Sequence, residues 1–139
     1  MGDDIKKAYL GIKFHADNSN RGRIEMISDV LESCGFGTVC IQRDVEGWGE
    51  IALTPAELMS QTFEIIRGCQ VVVIELSEKG VGLGIEAGYA FAQEIPIIVI
   101  AENGRDISTT LQGIAAQVFF YKSAQDLKQQ FALSVMETG

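Results

Sequence analysis

One stretch of the chain, VGLGIEAGYA at residues 81–90, sets a carboxylate among glycines where a strand is expected to give way to a helix. Glu86 is expected in the first helical turn, where aligned amide dipoles keep a carboxylate ionised. Gly82 and Gly84, just ahead of it, would let a ligand come close to its oxygen. An ionised, accessible carboxylate is a nucleophile suited to an anomeric carbon, with which it forms a glycosyl ester. Two other readings fit the same residues. Gly82-x-Gly84-x-x-Ala87 satisfies the dinucleotide fingerprint, and Glu102 lies twenty residues beyond Gly82. Against that fingerprint, five residues, Ser77 to Val81, separate the strand end at Leu76 from Gly82, and Glu86 would oppose a bound pyrophosphate. The third reading is structural, with glycines serving a tight turn and close packing while Glu86 favours the helix dipole.

Other side chains with chemistry gather near the same expected ligand mouth. His15, the only histidine, ends the first expected strand. Lys13, Arg21 and Arg23 are cations in an acidic chain and could pair with a phosphate; solvated surface charge is the expectation for the two arginines. Trp48, the only tryptophan, sits in a polar, glycine-containing loop from which its ring could stack on a base or pack on the core. Tyr89, three residues past Glu86, shares its helix face, where core packing is the expectation. Glu75 and Glu78 border the glycine segment as candidate second carboxylates, with solvated charge the plainer reading of both. Cys34, Cys40 and Cys69 lack disulfide or metal spacing and read as buried thiols. A single histidine with scattered thiols offers no metal site, and no cofactor is implied.

These residues need a scaffold, and the chain alternates strand and helix patterns. Strands are expected over 7–14, 38–42, 70–76, at IPIIVIA and at VFFYK, with helices from about Arg21, from the Thr54-Pro55-Ala56-Glu57 capping box to Arg67, through the glycine segment to about Gln93, and from Ser123. A short helix is expected before VFFYK. The nearly continuous apolar run QVVVIEL marks a strand covered on both faces. Five strands in βαβ alternation imply a flavodoxin-like, doubly wound α/β fold, a parallel sheet in the order 2-1-3-4-5. Ligands collect outside the carboxyl ends of such strands, which places the loops after 14, 42, 76 and 102 around one crevice.

At 139 residues the chain fits one domain, and its 47% hydrophobic content suits a packed core. Eleven Lys and Arg against nineteen Asp and Glu give a net charge of −8, which repels nucleic-acid phosphates and anionic lipid. Neither a nucleic-acid polymer nor a membrane is therefore an expected partner. No apolar run is long enough to span a bilayer and MGDDIKK lacks a signal-peptide core, so a cytoplasmic location is expected.

VGLGIEAGYAFAQ following a VVVIEL strand resembles the signature of the nucleoside 2-deoxyribosyltransferases and the related 2'-deoxynucleoside 5'-monophosphate N-hydrolases. The resemblance implies one such domain over residues 1–139, with Glu86 attacking C1' of a nucleoside or nucleotide and releasing the base. It implies a substrate-binding first loop, Lys13, Phe14 and His15 onward, and a segment GRDISTTLQGIA in which Ser108 reaches the phosphate site of a neighbouring subunit, hence at least a homodimer. Family members usually carry an aspartate where this chain has Thr62, with Glu64 nearby. They carry a polar residue where it has Gly80, and the hydrolases a glycine-serine pair where it reads Gly11-Ile12. A nucleotide-binding domain of the same fold without turnover is the alternative.

Overall fold

In the computed structural model, residues 6–134 are described; Met1 to Ile5, the start of the MGDDIKK stretch, lie outside the described residues. Strands β1 (Lys6–Ile12), β2 (Phe36–Val39), β3 (Val71–Glu75), β4 (Ile97–Glu102) and β5 (Gln117–Tyr121) form one parallel sheet in the order β2-β1-β3-β4-β5. The connecting helices are α1 (Arg21–Ser33), α2 (Pro55–Arg67), α3 (Val81–Ala92), α4 (Thr109–Ile114) and α5 (Ala124–Ala132). The expected architecture and strand order are therefore those observed.

Side-chain alternation along each strand divides the core into two. Ala8, Leu10, Val71, Val73, Ile98 and Ile100 pack with α1 and α5. Tyr9, Val72, Ile74, Val99 and Ala101 pack under α2, α3 and α4. All five residues of β3 are buried, as its unbroken apolar run requires of a strand covered on both faces. Two helix starts follow their sequence signals. The Thr54 hydroxyl accepts from Glu57 N at 3.1 Å while the Glu57 carboxylate accepts from Thr54 N at 2.9 Å, a reciprocal cap worth about 1 kcal/mol. Ser123 caps α5 by accepting from Asp126 N at 3.1 Å.

Three boundaries differ from expectation and matter for the site. β1 stops at Ile12, so Lys13 and Phe14 belong to the loop beyond it. β2 spans Phe36–Val39, and the chain then winds into a π-helical turn at Ile41–Val45 and a 3₁₀ turn at Gly47–Gly49. Most consequentially, α3 begins at Val81, ahead of the glycines. Leu83, Ala87 and Ala90 bury one face of α3, and that packing overrides the weak helix propensity of Gly82 and Gly84. Among the described residues, no helix is long and apolar enough to cross a membrane.

Candidate active site

Because α3 starts at Val81, Glu86 is its sixth residue and lies in the second turn, and no acidic residue occupies the first. The expectation that the helix dipole holds this carboxylate ionised is therefore corrected, since that effect fades within a turn. Its environment pushes the other way. Burial raises the Glu86 carboxyl from its ordinary range to about 7, with the Tyr9 hydroxyl partly opposing the rise. Tyr9, on β1, donates to Glu86 Oε2 at 2.8 Å. Its own phenol is held well above its usual value, first by burial and then by the Glu86 charge, so it remains a proton donor. Glu86 Oε1 is shut off from solvent and has no hydrogen-bond partner among the described residues.

Space for that oxygen comes from β1. A Cβ added at Gly11 would stand 2.6 Å from Glu86 Oε1 and 2.9 Å from Ile74 Cδ1. Tyr9 and Gly11 lie two residues apart on one face of the strand, so one supplies the donor and the other the room. Gly82 and Gly84, by contrast, look outward: a Cβ at either would meet nothing within 4 Å. They are not the residues that clear space around Glu86. With both already inside the helix, no loop remains to cradle a pyrophosphate, which removes the basis of the dinucleotide reading.

Glu86 lines a cavity of about 360 Å3 at the carboxyl end of the sheet, beside the end of β1. Lys13, Phe14, Gly80, Val81 and Gly82 line the side toward α3, and Cys40, Ile41, Gln42 and Glu46 the side toward β2, with Leu58, Met59 and Thr62 contributed by α2. Lys13 extends across the start of α3, where a Cβ at Gly80 would lie 3.2 Å from its Cδ. Phe14 stands 56% exposed at the rim. Thr62 is buried and its hydroxyl donates to Leu58 O at 2.8 Å. Glu64 is exposed, on the far side of α2 beside Lys7 and Cys69, and brings no second carboxylate to this cavity.

The remaining candidates separate from it, so the single expected crevice is two. A second, charged cleft of about 480 Å3 opens over the α1 and α5 face. His15 lies there, its Nε2 2.7 Å from the Glu78 carboxylate. Glu75, expected as a solvated charge, is 2% exposed. Its carboxylate accepts from Ser77 N at 2.8 Å, Ser77 Oγ at 2.6 Å, the Tyr121 hydroxyl and Arg23. Arg23, also expected at the solvated surface, bridges Glu75 to Glu102 and holds the Glu102 carboxyl below its usual range. Each member of that network is paired, which makes it an anchor for the ends of β3, β4 and β5.

Trp48 lines neither cleft. Its backbone is left-handed at φ 60°, between Gly47 and Gly49 at φ 54° and 97°, a conformation costing a tryptophan roughly 1–2 kcal/mol. Asn18 Nδ2 donates to its carbonyl at 3.0 Å, and the Arg21 guanidinium lies 4.6 Å over its ring. The ring also packs against the core under α1 and α5, the second of the two expectations for it, and is not a platform facing Glu86. Tyr89 turns to α2, stacked on Phe63 at 4.3 Å and accepting from Arg67. Ser108 precedes α4, its hydroxyl 2.8 Å from that of Thr110, and lies outside the Glu86 cavity of its own chain. Cys40 and Cys69 are buried thiols, raised by burial to about 11, while Cys34 is half-buried.

Sequence reasoning missed three residues of this site. Tyr9 carried a signal, a phenol between the apolar residues Ala8 and Leu10 of its strand, which when buried needs a polar partner. Gly11 carried one only in combination with it. Glu46 carried none beyond its place in a long loop.

No family model matches the chain. A protein of Thermofilum pendens given the provisional name 2'-deoxynucleoside 5'-phosphate N-hydrolase 1 is 24% identical over 127 residues, which cover 88% of each chain. A CMP N-glycosidase structure from Clostridium botulinum superposes with a TM-score of 0.63 at 18% identity, covering 92% of this chain and 100% of that one. A 2-deoxyribosyltransferase from Bacillus psychrosaccharolyticus gives a TM-score of 0.70 at 12% identity, covering 88% of this chain and 90% of the other. At these identities the two structural likenesses speak to the fold.

Proposed function

We propose that this chain, a member of the nucleoside 2-deoxyribosyltransferase and 2'-deoxynucleoside 5'-monophosphate N-hydrolase superfamily, breaks the N-glycosidic bond of a 2'-deoxynucleoside or its 5'-monophosphate with Glu86 as nucleophile. The observation that carries the reading is a carboxylate lining a nucleoside-sized cavity, fixed through one oxygen by Tyr9 while the other, closed to solvent beside Gly11, has no hydrogen-bond partner among the described residues. Ionised Glu86 attacks C1', the C1'–N bond breaks with its electron pair leaving on the base, and a glycosyl ester results. Water or a second base then attacks C1' and returns the carboxylate. Hydrolysis and base exchange differ only in that acceptor.

Lys13, over the start of α3, is the cation placed to meet the 5' end of the substrate, with Phe14 and Gly80 beside it. Gly82 belongs to the same rim, and Gly84 to the outward face of α3. His15 and Trp48, outside the cavity, act at most by shaping the loops around it. Ser108 belongs to the same proposal through a homodimer, each copy serving its partner's site. Support for a second copy lies on α3, whose outward face carries exposed Val81, Ile85 and Phe91 around Gly84 and Gly88. That stripe begins at the cavity rim, so a copy seated on it would close the mouth. Sedimentation giving twice the chain mass is the expected result, and a monomer at micromolar concentration contradicts it. One domain over the whole chain and a cytoplasmic location complete the proposal.

The test is a panel of deoxynucleosides and deoxynucleotides, with and without an acceptor base. At least one member should lose its base, and Glu86→Ala should abolish the release. One observation favours a second reading, a nucleotide-binding domain without turnover: Thr62, in place of a carboxylate, spends its hydroxyl on Leu58 O. Calorimetric binding with no product from any panel member would select it.

A further inference from the structure

The Glu86 cavity has two unlike sides. Lys13 lies over the start of α3, which follows β3, and Glu46 comes from the loop after β2. β2 and β3 flank β1 on opposite sides, so a cation and an anion face the cavity from its two ends. A substrate with C1' at Glu86 extends its sugar 5' end one way and its base the other. The side carrying Lys13 suits a phosphate, whereas Glu46, among Ile41, Leu58 and Met59, repels one and suits a flat base.

Among the polar side chains of that second side, Glu46 is the one left free. The Gln42 amide is spent on Asn18 at 2.8 Å, His15 O at 3.0 Å and Asn20 at 3.0 and 3.1 Å. The Thr62 proton is committed to Leu58 O, and the Cys40 thiol stays protonated. The Glu46 carboxyl has no hydrogen bond or ion pair among the described residues, and burial raises it above its ordinary range. Its backbone, in contrast, is fixed. Glu46 N donates to Ile41 O at 2.9 Å, and its carbonyl accepts from Gly49 at 2.9 Å and Ile51 at 3.0 Å. The left-handed run at 47–49, clamped by Asn18 and Arg21, thus presents a pinned residue with an open acceptor.

Resting on the N-glycosidic reading of the site, we infer that Glu46 reads the leaving base, its carboxylate accepting a hydrogen bond from an exocyclic amino group. An ionised carboxylate only accepts, and pairing with the cytosine N4 amino group is the chemistry expected of Glu. Uracil and thymine carry a carbonyl oxygen at that position, so their binding would set two acceptors against each other and strip Glu46 of water without replacing it. Aminated bases are therefore selected over oxo bases through a residue outside the glutamate motif.

The experiment compares deoxycytidine with deoxyuridine, each with and without its 5'-phosphate, at about pH 8 where a carboxylate is ionised. Base release and calorimetric affinity are measured on wild type, Glu46→Ala and Glu46→Gln, with thermal midpoints to confirm folding. Wild type should prefer the cytosine substrate by about 10- to 100-fold in kcat/KM. Glu46→Ala should bring that ratio near unity, and Glu46→Gln, which can donate as well as accept, should flatten it by raising activity on uracil. An unchanged ratio in both variants, with base still released, overturns the role of Glu46 and leaves the N-glycosidic reading intact. If no substrate loses its base, that reading fails separately, and the ratio of affinities then decides Glu46: equal affinities of wild type for the two bases overturn it.

Discussion

Glu86→Gln should make the protein more stable at neutral pH and leave it little changed in acid. Glutamine keeps the shape of the carboxylic acid but cannot ionise, so Tyr9 still has an oxygen to which it can donate. In the wild type, burial lifts the folded carboxyl from its usual value near 4.5 to about 7. Between those values the unfolded chain has given up a proton that the folded chain retains, so ionisation pulls toward unfolding. The stability associated with this group is fully present below about pH 4.5 and is lost as pH rises through about 7. Each pH unit between the two values is worth about 1.4 kcal/mol, so the whole displacement amounts to roughly 3 kcal/mol. Urea denaturation of both proteins from about pH 4 to 8 reads this directly, because other titrating groups cancel in the difference. The advantage of Glu86→Gln over wild type should grow by roughly 3 kcal/mol across that range. A difference that stays flat within about 0.5 kcal/mol, or grows toward acid, refutes the buried-carboxylate account.

Three further predictions concern the same contact set. Base release should rise with pH and reach half its plateau near 7, the value to which burial brings Glu86. Tyr9→Phe removes the hydrogen bond that favours the ionised form, so its half-point should move upward, and a downward movement contradicts the assignment. Gly11→Ala would put a methyl carbon 2.6 Å from Glu86 Oε1, so the carboxylate must move. The displacement should lower kcat/KM about 100-fold and cost about 1–3 kcal/mol of stability. Gly22→Ala, where a Cβ meets nothing within 4 Å inside α1, serves as the control: kcat/KM should be unchanged and stability should stay level or rise by up to about 1 kcal/mol.

The sheet and its order were legible because strand and helix periods, capping residues and right-handed crossovers are local or topological signals. QVVVIEL announced a central strand, and Thr54-Pro55-Ala56-Glu57 a helix start, by residue type alone. Glu86 was legible as a candidate for the same reason. Its surroundings were not. Tyr9 meets Glu86 across 77 positions of sequence, a contact fixed only when β1 and β3 pair in register and α3 folds back over them. The glycines of 81–90 suggested a loop because glycine disfavours helix, yet the buried face of α3 decided otherwise. Glu75 reads as solvated from the sequence because two of its partners, Tyr121 and Arg23, lie 46 and 52 positions away. For Trp48 the sequence leaves base stacking and core packing both open, and the fold decides for packing, with Arg21 over the ring. For Glu86, Glu75 and Trp48 the concealed feature is a partner distant in sequence.

Covalent attachment of the sugar to Glu86, as proposed, is read by rapid acid quench of the protein mixed with its substrate, followed by mass spectrometry of the intact chain and its peptides. A deoxyribosyl or deoxyribosyl-phosphate adduct should appear on the peptide containing Glu86 and be absent from Glu86→Gln. Base release by Glu86→Gln at the wild-type rate, with no adduct on that peptide in either protein, would contradict it.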